Sequence, residues 1–591
     1  MDFYQGKTLR IDLDTAEVSV EPLRMDWVHL YVGGKGLLFR YLLDEVAPGL
    51  DPWSPENPLM FFTGPFAGTA VSTCSRLVVG CKSPQTGTIL DSYVGGSFGP
   101  ELKFAGYDAL ILNGRAAEPT LIWVRDDVVE LRSAAAYQGM NISELESTLR
   151  RDLDAHARFM SNGPAGENLL PWACLSTDQY HKAGRGGAGA LMGVKNVKSI
   201  AVRGTGAVNV GDARAFLSDL VRIHRDSVLT PTNMWAHEEG TLALVDLVDV
   251  AGAMPTRNWS QGQFEGIGKI NSAAFQKVRL KKRACSQCAI ACRNVHVIGD
   301  ARGEGPEFET VALCGANCGV GDTEALLRFN LACDVLGMDT ISTGAVVGLA
   351  TDMTERGIVD FGLRFGDYEA YVAAPERIAR RQGSGAERAL GARARAARYG
   401  VPELAMEVKN MELPGYDPRG SFGMSLSYST ADRGGCHQRS YVQADEILGG
   451  DLPPDTMTGK AAVNIHWQNF TSVKYTGIWC EFWALELDEM RQLLRWVYER
   501  DLADDELMRI GERAWNLARI FNLREGVEPD ALPRKLYAED GAFARGPSAG
   551  KAIGEDRFRA ALQEYYGLRG WDASGVPYEA KLVELGIDVR P

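Results

Sequence analysis

The chain has 591 residues, 45% of them hydrophobic and 24% charged, with a formal net charge of −14 at pH 7. These are globular proportions, enough for several domains and a core that encloses a sizeable cofactor. The acidic balance excludes a nucleic-acid-binding surface, which needs a concentrated positive footprint. The segment Met1 to Lys7 lacks the layout of a signal peptide and no apolar run is long enough to span a membrane, so a cytoplasmic, membrane-free location is expected.

Leu9–Leu13 and Glu17–Val20 alternate like strands around a turn. Leu59–Phe62, Arg76–Gly80, Leu110–Leu112 and Leu121–Val124 continue the β pattern, and Asn141 is placed to cap a helix near 142–155. The texture changes near residue 211. Asp212–Arg225, Asp322–Leu336, Ala386–Tyr399 and the stretch 484–523 read as helices. The expected class is α+β: a β-rich base over residues 1–208, then mainly helical domains over 209–410 and 411–591.

Cys285, Cys288 and Cys292 form a C-x2-C-x3-C run. Three soft thiolates this close suit three corners of an iron–sulfur cluster. Zinc is the competing reading, with His296 as a ligand. The fourth cluster ligand is left open among Cys314, Cys318, Cys333, Cys436 and Cys480. Eleven cysteines, an odd number, argue against a disulfide framework.

Glycine-rich runs at 33–36, 95–99 and 184–189 offer backbone N–H groups to an anion, with Arg76 and Arg185 nearby to pair with phosphates. Taken singly, each run reads first as an ordinary tight turn, and none is a clean dinucleotide fingerprint or a P-loop. Glu307 and Glu309 stand two apart, and His437 follows a Gly-Gly pair.

These segments, in order and approximate spacing, resemble the tungsten-containing aldehyde:ferredoxin oxidoreductase family over most of the chain. The resemblance rests on Gly33–Leu37, Thr63–Pro65, Gly68-Thr69, Lys82–Gly87, Gly95–Gly99, Lys103–Asp108, Gly184–Gly193, the cysteine triplet, Pro306–Thr310, Asp334–Asp339 and Ala431–His437. It implies a tungsten or molybdenum bis-pterin between base and helices, with Mg2+ bridging the pterin phosphates, and a 4Fe-4S cluster. Arg76, Tyr93, Gly95, Arg185 and Gly186 fall on pterin-contact positions of the base. Asp334, Met338 and Asp339 match the D-x-x-G-L-D motif, Arg439 a basic pterin contact, and Trp479 lies in the second pterin segment. Cys285, Cys288 and Cys292 match cluster ligands, Cys480 the fourth, and Glu309 and His437 the acid and imidazole beside the metal.

Two departures stand out. The motif D-x-x-G-L-C reads Tyr475-Thr476-Gly477-Ile478-Trp479-Cys480, and Tyr93 replaces a frequent asparagine. No match exists to the Glu and His that bridge subunits through a metal in some members, so the resemblance leaves homodimer or hetero-oligomer open.

The implied reaction interconverts aldehydes and carboxylic acids, with the metal cycling between its VI and IV states. The cluster would hand electrons singly to ferredoxin or an iron–sulfur partner subunit. Glu309 would serve as general base and His437 as a hydrogen-bond donor to the carbonyl or oxo oxygen. Two other readings are a ring-reducing aromatic acyl-CoA reductase on the same fold and a non-catalytic electron-transfer scaffold.

Overall fold

Leu59–Phe62 is apolar at every position. Successive strand side chains point to opposite faces, so such a segment must be covered on both sides. In the computed structural model, which describes residues 2–228 and 230–591, it is. Met1 of the N-terminal segment read above lies outside the described residues, as does Leu229. Leu59 and Phe61 enter a core shared by two sheets, while Met60 and Phe62 enter a core roofed by helices.

The first sheet holds β1 (Lys7–Asp12), β2 (Glu17–Pro22), β3 (Leu59–Phe62), β4 (Leu77–Lys82), β5 (Ile89–Val94) and β6 (Ala109–Asn113), in the order β2-β1-β6-β3-β4-β5. The second holds β7 (Thr120–Arg125), β8 (Val128–Ser133), β9 (Arg158–Asn162), β10 (Leu175–Thr177), β11 (His181–Ala183) and β12 (Val197–Arg203), in the order β11-β10-β9-β12-β7-β8. Pairing is antiparallel except between β1 and β6 and between β12 and β7.

Helix starts follow their caps. Asn141 opens Ile142–Asp152 through a capping box with Glu144, Asp212 opens Ala213–Ile223, and Asp322 opens Thr323–Leu336. Two expected helices are broken. The Ala- and Arg-rich stretch splits into Ser384–Arg388 and Ala392–Arg398 because Gly391 takes φ +83°. The late stretch splits into Leu487–Tyr498 and Asp504–Arg524 after Glu499, which takes φ +55°. Among the described residues no helix is long and apolar enough to cross a membrane.

The mainly helical part also holds an unexpected three-stranded sheet, β13 (Arg279–Arg283), β14 (Arg293–Ile298) and β15 (Ala301–Glu304). Arg283 pairs with Arg293, so the cysteine triplet is the loop of this hairpin.

Sheet, helix and late loop are joined by a buried ion network. Lys35, on helix Gly34–Glu45, lies 3.0 Å from Asp91 of β5 and also pairs with Asp432. Arg439 closes the ring, 2.7 Å from Asp432 and paired with Asp91, and the Tyr93 hydroxyl donates to Asp91 at 2.7 Å. Two cations thus neutralise two carboxylates away from water. Removing one partner strands a buried charge, which typically costs about 3–5 kcal/mol. Lys35→Met should destabilise the apo-protein by that order in urea unfolding; an unchanged midpoint would mean the ring does not hold these elements together.

Candidate functional site

Cys285, Cys288, Cys292 and Cys480 line one cavity of about 70 Å³, together with Arg76, Tyr93, Gly95 and His181. The other seven cysteines are buried and do not line it. Local backbone geometry shapes the triplet: Gln287 and Ala291 take φ +56° and +48°, in the left-handed region, which curls the loop. The loop is tied to the base through Ser286 N–H to the Gly96 carbonyl at 3.2 Å and Ala289 N–H to Ser72 Oγ at 3.1 Å. Gly95 is required by contact, since a Cβ there would stand 2.8 Å from Cys285 Sγ.

Cys480 arrives from helix Lys460–Gly477, which ends with Ile478 at φ +62°. A Cβ on Gly34 would lie 2.2 Å from the Tyr475 carbonyl, and one on Gly64 2.7 Å from the Gly477 carbonyl. Bare glycines therefore let the 475–480 segment settle onto the base. Burial pushes the Cys480 thiol up to about 12 and the Cys285 and Cys292 thiols above their usual value. Such thiols stay protonated unless a cation replaces the proton. Among the described residues no three metal-binding side chains close around a single ion position; the four thiols instead surround a cavity. His296 packs against Phe275 and is not among the residues lining that cavity.

A polar and aromatic layer lies beside the thiols. Arg76 pairs with Glu481. Tyr93 stacks on Tyr475 at 4.4 Å, and the Tyr475 hydroxyl donates to the Gln438 carbonyl and to Glu481, each at 3.0 Å. Through Asp91, Tyr93 reaches Arg439, two residues from His437.

Glu309 and His437 meet. His437 Nδ1 lies 3.5 Å from Glu309 Oε1, and neither atom has another partner. Glu309 Oε2 accepts the Gly415 N–H at 2.7 Å, which orients the carboxyl. Burial raises Glu309 to about 8 and pushes His437 well below its usual value, helped by Arg185, Arg433 and Arg439. Near neutral pH the pair is thus a carboxylic acid beside a neutral imidazole. Glu309 sits in the one-turn helix Phe308–Thr310, which runs into a π-helical turn, Val311–Gly315, a geometry frequent at functional sites.

Residues 8–204 match the family description "Aldehyde ferredoxin oxidoreductase, N-terminal domain", and residues 221–587 match "Aldehyde ferredoxin oxidoreductase, domains 2 & 3". The chain belongs to the aldehyde ferredoxin oxidoreductase family. It is therefore an oxidoreductase. It is 37% identical to the tungsten-containing aldehyde ferredoxin oxidoreductase of Pyrococcus furiosus, covering 98% of each chain. The Thermococcus kodakarensis protein of that name is 36% identical, again over 98% of each chain. A WOR-like subunit of an aliphatic sulfonate oxidoreductase from P. furiosus is 27% identical over 99% of this chain and 97% of its own length. The fold is also that of the active-site complex BamBC of benzoyl coenzyme A reductase, with a TM-score of 0.82 at 22% identity, covering 99% of this chain and 97% of that one.

Against this family frame, other expected site residues make protein contacts. Arg185 spends its guanidinium on Asp339 at 3.1 Å, the Gly435 carbonyl at 2.7 Å and the Glu412 carbonyl. Asp339 also caps helix Thr340–Glu355. Gly186 donates to Gln85 at 3.2 Å and accepts from Ser83 at 2.8 Å. Met338 bridges to Ala173, and Asp334 lies 3.8 Å from Lys182 with burial lifting its carboxyl to about 6. Trp479 is buried on Phe66 with Nε1 unpartnered.

Sequence reading missed Lys35, Asp91, Asp432, Tyr475 as a stacking partner, Glu481 and His181. Lys35 and Asp432 lay inside quoted motifs; Asp91 and His181 carried no local signal.

Because Glu309 ionises later in the fold than in the unfolded chain, the fold binds more protons between pH 4.5 and about 8. This site should therefore make the apo-protein less stable as pH rises through that window. Burial also raises Glu146 to about 8, so the infrared titration should show a carboxylic C=O absorption lost near pH 8 that weakens in Glu309→Gln and disappears only when Glu146→Gln is combined with it. A band lost near pH 4.5 would contradict the burial argument.

Proposed function

We propose that this chain interconverts aldehydes and carboxylic acids at a tungsten or molybdenum bis-pterin. Electrons pass through a 4Fe-4S cluster to ferredoxin or an iron–sulfur partner subunit. The observation that carries the reading is the meeting of Glu309 and His437, distant in sequence, at 3.5 Å with both facing atoms unpartnered. The residues present fit the two groups. Four thiols around one cavity suit a cluster. Buried donors without partners are rare, yet Arg433 Nε, Arg439 Nη1, Ser440 Oγ, Thr476 Oγ1 and Trp479 Nε1 gather on the two segments that flank the site. A pterin rich in acceptors would satisfy them. Arg76, Tyr93, Gly95, Arg185 and Gly186 would stand on its base side, Asp334, Met338 and Asp339 would form its helical wall, and Arg439 would add a basic contact from the late segment. Mg2+ at the phosphates is carried by the resemblance alone.

Bound there, the bis-pterin metal supplies the acceptor for two electrons, and the cluster their exit one at a time. The chain's residues manage protons and orientation. Water adds to the aldehyde carbon and Glu309 Oε1 takes the proton released, while Gly415 N–H holds Oε2 in place. A ring N–H of His437 donates to the carbonyl oxygen, where negative charge develops. The aldehyde C–H bond breaks, the acid forms, and two protons and two electrons leave. Since only ionised Glu309 can accept a proton, aldehyde oxidation should rise with pH toward about 8.

Glu309→Gln should lower the rate per bound W or Mo by roughly 10²–10⁴-fold with metal content intact. Glu307→Gln, whose parent carboxylate pairs with Arg293 at 3.2 Å, should not. Full rate per metal in Glu309→Gln would remove Glu309 from the mechanism. A CoA thioester assayed beside an aldehyde panel separates ring reduction from aldehyde chemistry.

Anaerobically prepared protein should contain about four Fe per chain. Cys480→Ser should lose cluster iron and Cys314→Ser should keep it, since Cys314 Sγ is bonded to the Thr340 carbonyl at 3.1 Å. The reverse pattern, or stoichiometric zinc without iron, would refute the ligand set.

A further inference from the structure

A second cavity, of about 330 Å³, opens beside the thiols. Arg150, Arg158, Arg283, His181, Asp178 and Gln179 line it with Ser97 and Ala284. His181 is shared with the thiol cavity, its Nδ1 3.9 Å from Cys285 Sγ. Three guanidiniums converge on a space whose lining holds one carboxylate, Asp178, and that carboxylate stands 4.0 Å from Arg150. Arg150 also faces the buried Glu146 at 3.6 Å. Arg158 Nε is buried without a partner, and Arg283 lies over the Tyr180 ring at 4.7 Å. In a chain of net charge −14 this is a concentrated positive site.

The basic lining continues onto the surface. Arg283 ends β13, which also carries Arg279, Lys281 and Lys282, the first two exposed. The tip of the cysteine loop is itself exposed at Ala284, Gln287 and Ala289. An apolar element adjoins it. Helix Pro231–Glu238 touches the loop through His237 Nδ1, 2.8 Å from the Ile290 carbonyl. Its Trp235 packs on Phe482, which lines the thiol cavity, and Met234 and Trp235 are each 37% exposed. Exposed Trp and Met beside only partly neutralised arginines is the composition of an interface core.

We propose that this surface docks an acidic one-electron iron–sulfur protein. The partner's carboxylates enter the Arg150–Arg158–Arg283 cavity, and its apolar rim covers Met234 and Trp235. The proposal rests on the function above and adds where and how the partner binds. A cluster held by the four thiols would supply one electron per encounter to the partner's oxidised cluster, with no proton or bond exchanged. The net charge of −14 opposes the approach of an acidic partner, so the basic site sets orientation as well as attraction.

The test uses the holoenzyme and a recombinant acidic 4Fe-4S ferredoxin. Affinity is read by direct titration, and turnover is read with ferredoxin and separately with a small neutral dye. Arg150→Ser/Arg283→Ser should weaken ferredoxin binding and raise its KM by roughly tenfold, and flatten the dependence of both on salt. Iron content and dye turnover should stay unchanged. Arg559→Ser, exposed on helix Glu555–Leu568, should change nothing. Trp235→Ala should weaken binding without changing the salt dependence. Unchanged ferredoxin affinity in the double variant, or equal loss of dye turnover, overturns the proposal. Displacement of nothing by ferredoxin but tight binding of inorganic phosphate in the cavity would reassign it to a free anion. If the wild type oxidises no aldehyde with the dye, the functional reading fails, while the binding titration still decides the docking site.

Discussion

The site depends on one close approach: the backbone of Tyr475–Ile478 lies directly on Gly34 and Gly64 of the base. A side chain at either glycine would stand within 3 Å of that backbone. Because the approach is possible, Cys480 reaches the cavity of the hairpin thiols and Tyr475 stacks on Tyr93. The glycine run at 33–36 invites an anion-binding reading, yet here its Gly34, together with Gly64, serves as a seat for another backbone. The close fit also explains how a degenerate late motif still brings its cysteine to the triplet.

Charge compensation does the rest. Lys35, Arg439, Asp91 and Asp432 are almost wholly inaccessible to water, and only their closed ring makes that burial tolerable. The ring fixes Arg439, and the short run from Asp432 to Arg439 carries His437 to Glu309. Cys436, beside His437, shows the same field. Burial raises its thiol, but Arg433, with Nη2 3.1 Å away, and Arg439 overcome that and lower it. Glu309 sits where burial outweighs the nearby cations, so it keeps its proton to about 8 while His437 stays neutral. Two titratable groups pushed apart in this way are suited to divided proton work.

The positive cavity near Cys285 and the acidic body of the protein complete an electrostatic division. Arginines inside the site are neutralised by carboxylates and carbonyls, as Arg185 and Arg439 show. Those at the mouth near the cysteine hairpin are only partly neutralised. The difference separates residues that hold the site together from residues that face a visitor.

Local signals were legible in the sequence because they act over a few residues. Asn141, Asp212 and Asp322 each cap the helix that follows them, and Leu59–Phe62 forms a strand with both faces buried. The cysteine spacing pointed to a metal site without structural help, as did the ordered family motifs. The helix breaks at Gly391 and Glu499 were missed because composition there favours helix while backbone angle ends it. The hairpin β13–β14 carried no local signal because each of its strands pairs with residues on the other side of the cysteines. Only the tertiary structure decided that Glu309 faces His437, that Asp91 neutralises Lys35 and Arg439, and that Arg158 and Arg283 share a cavity. Those meetings join segments far apart along the chain, set by sheet order and glycine contacts, and no local spacing encodes them.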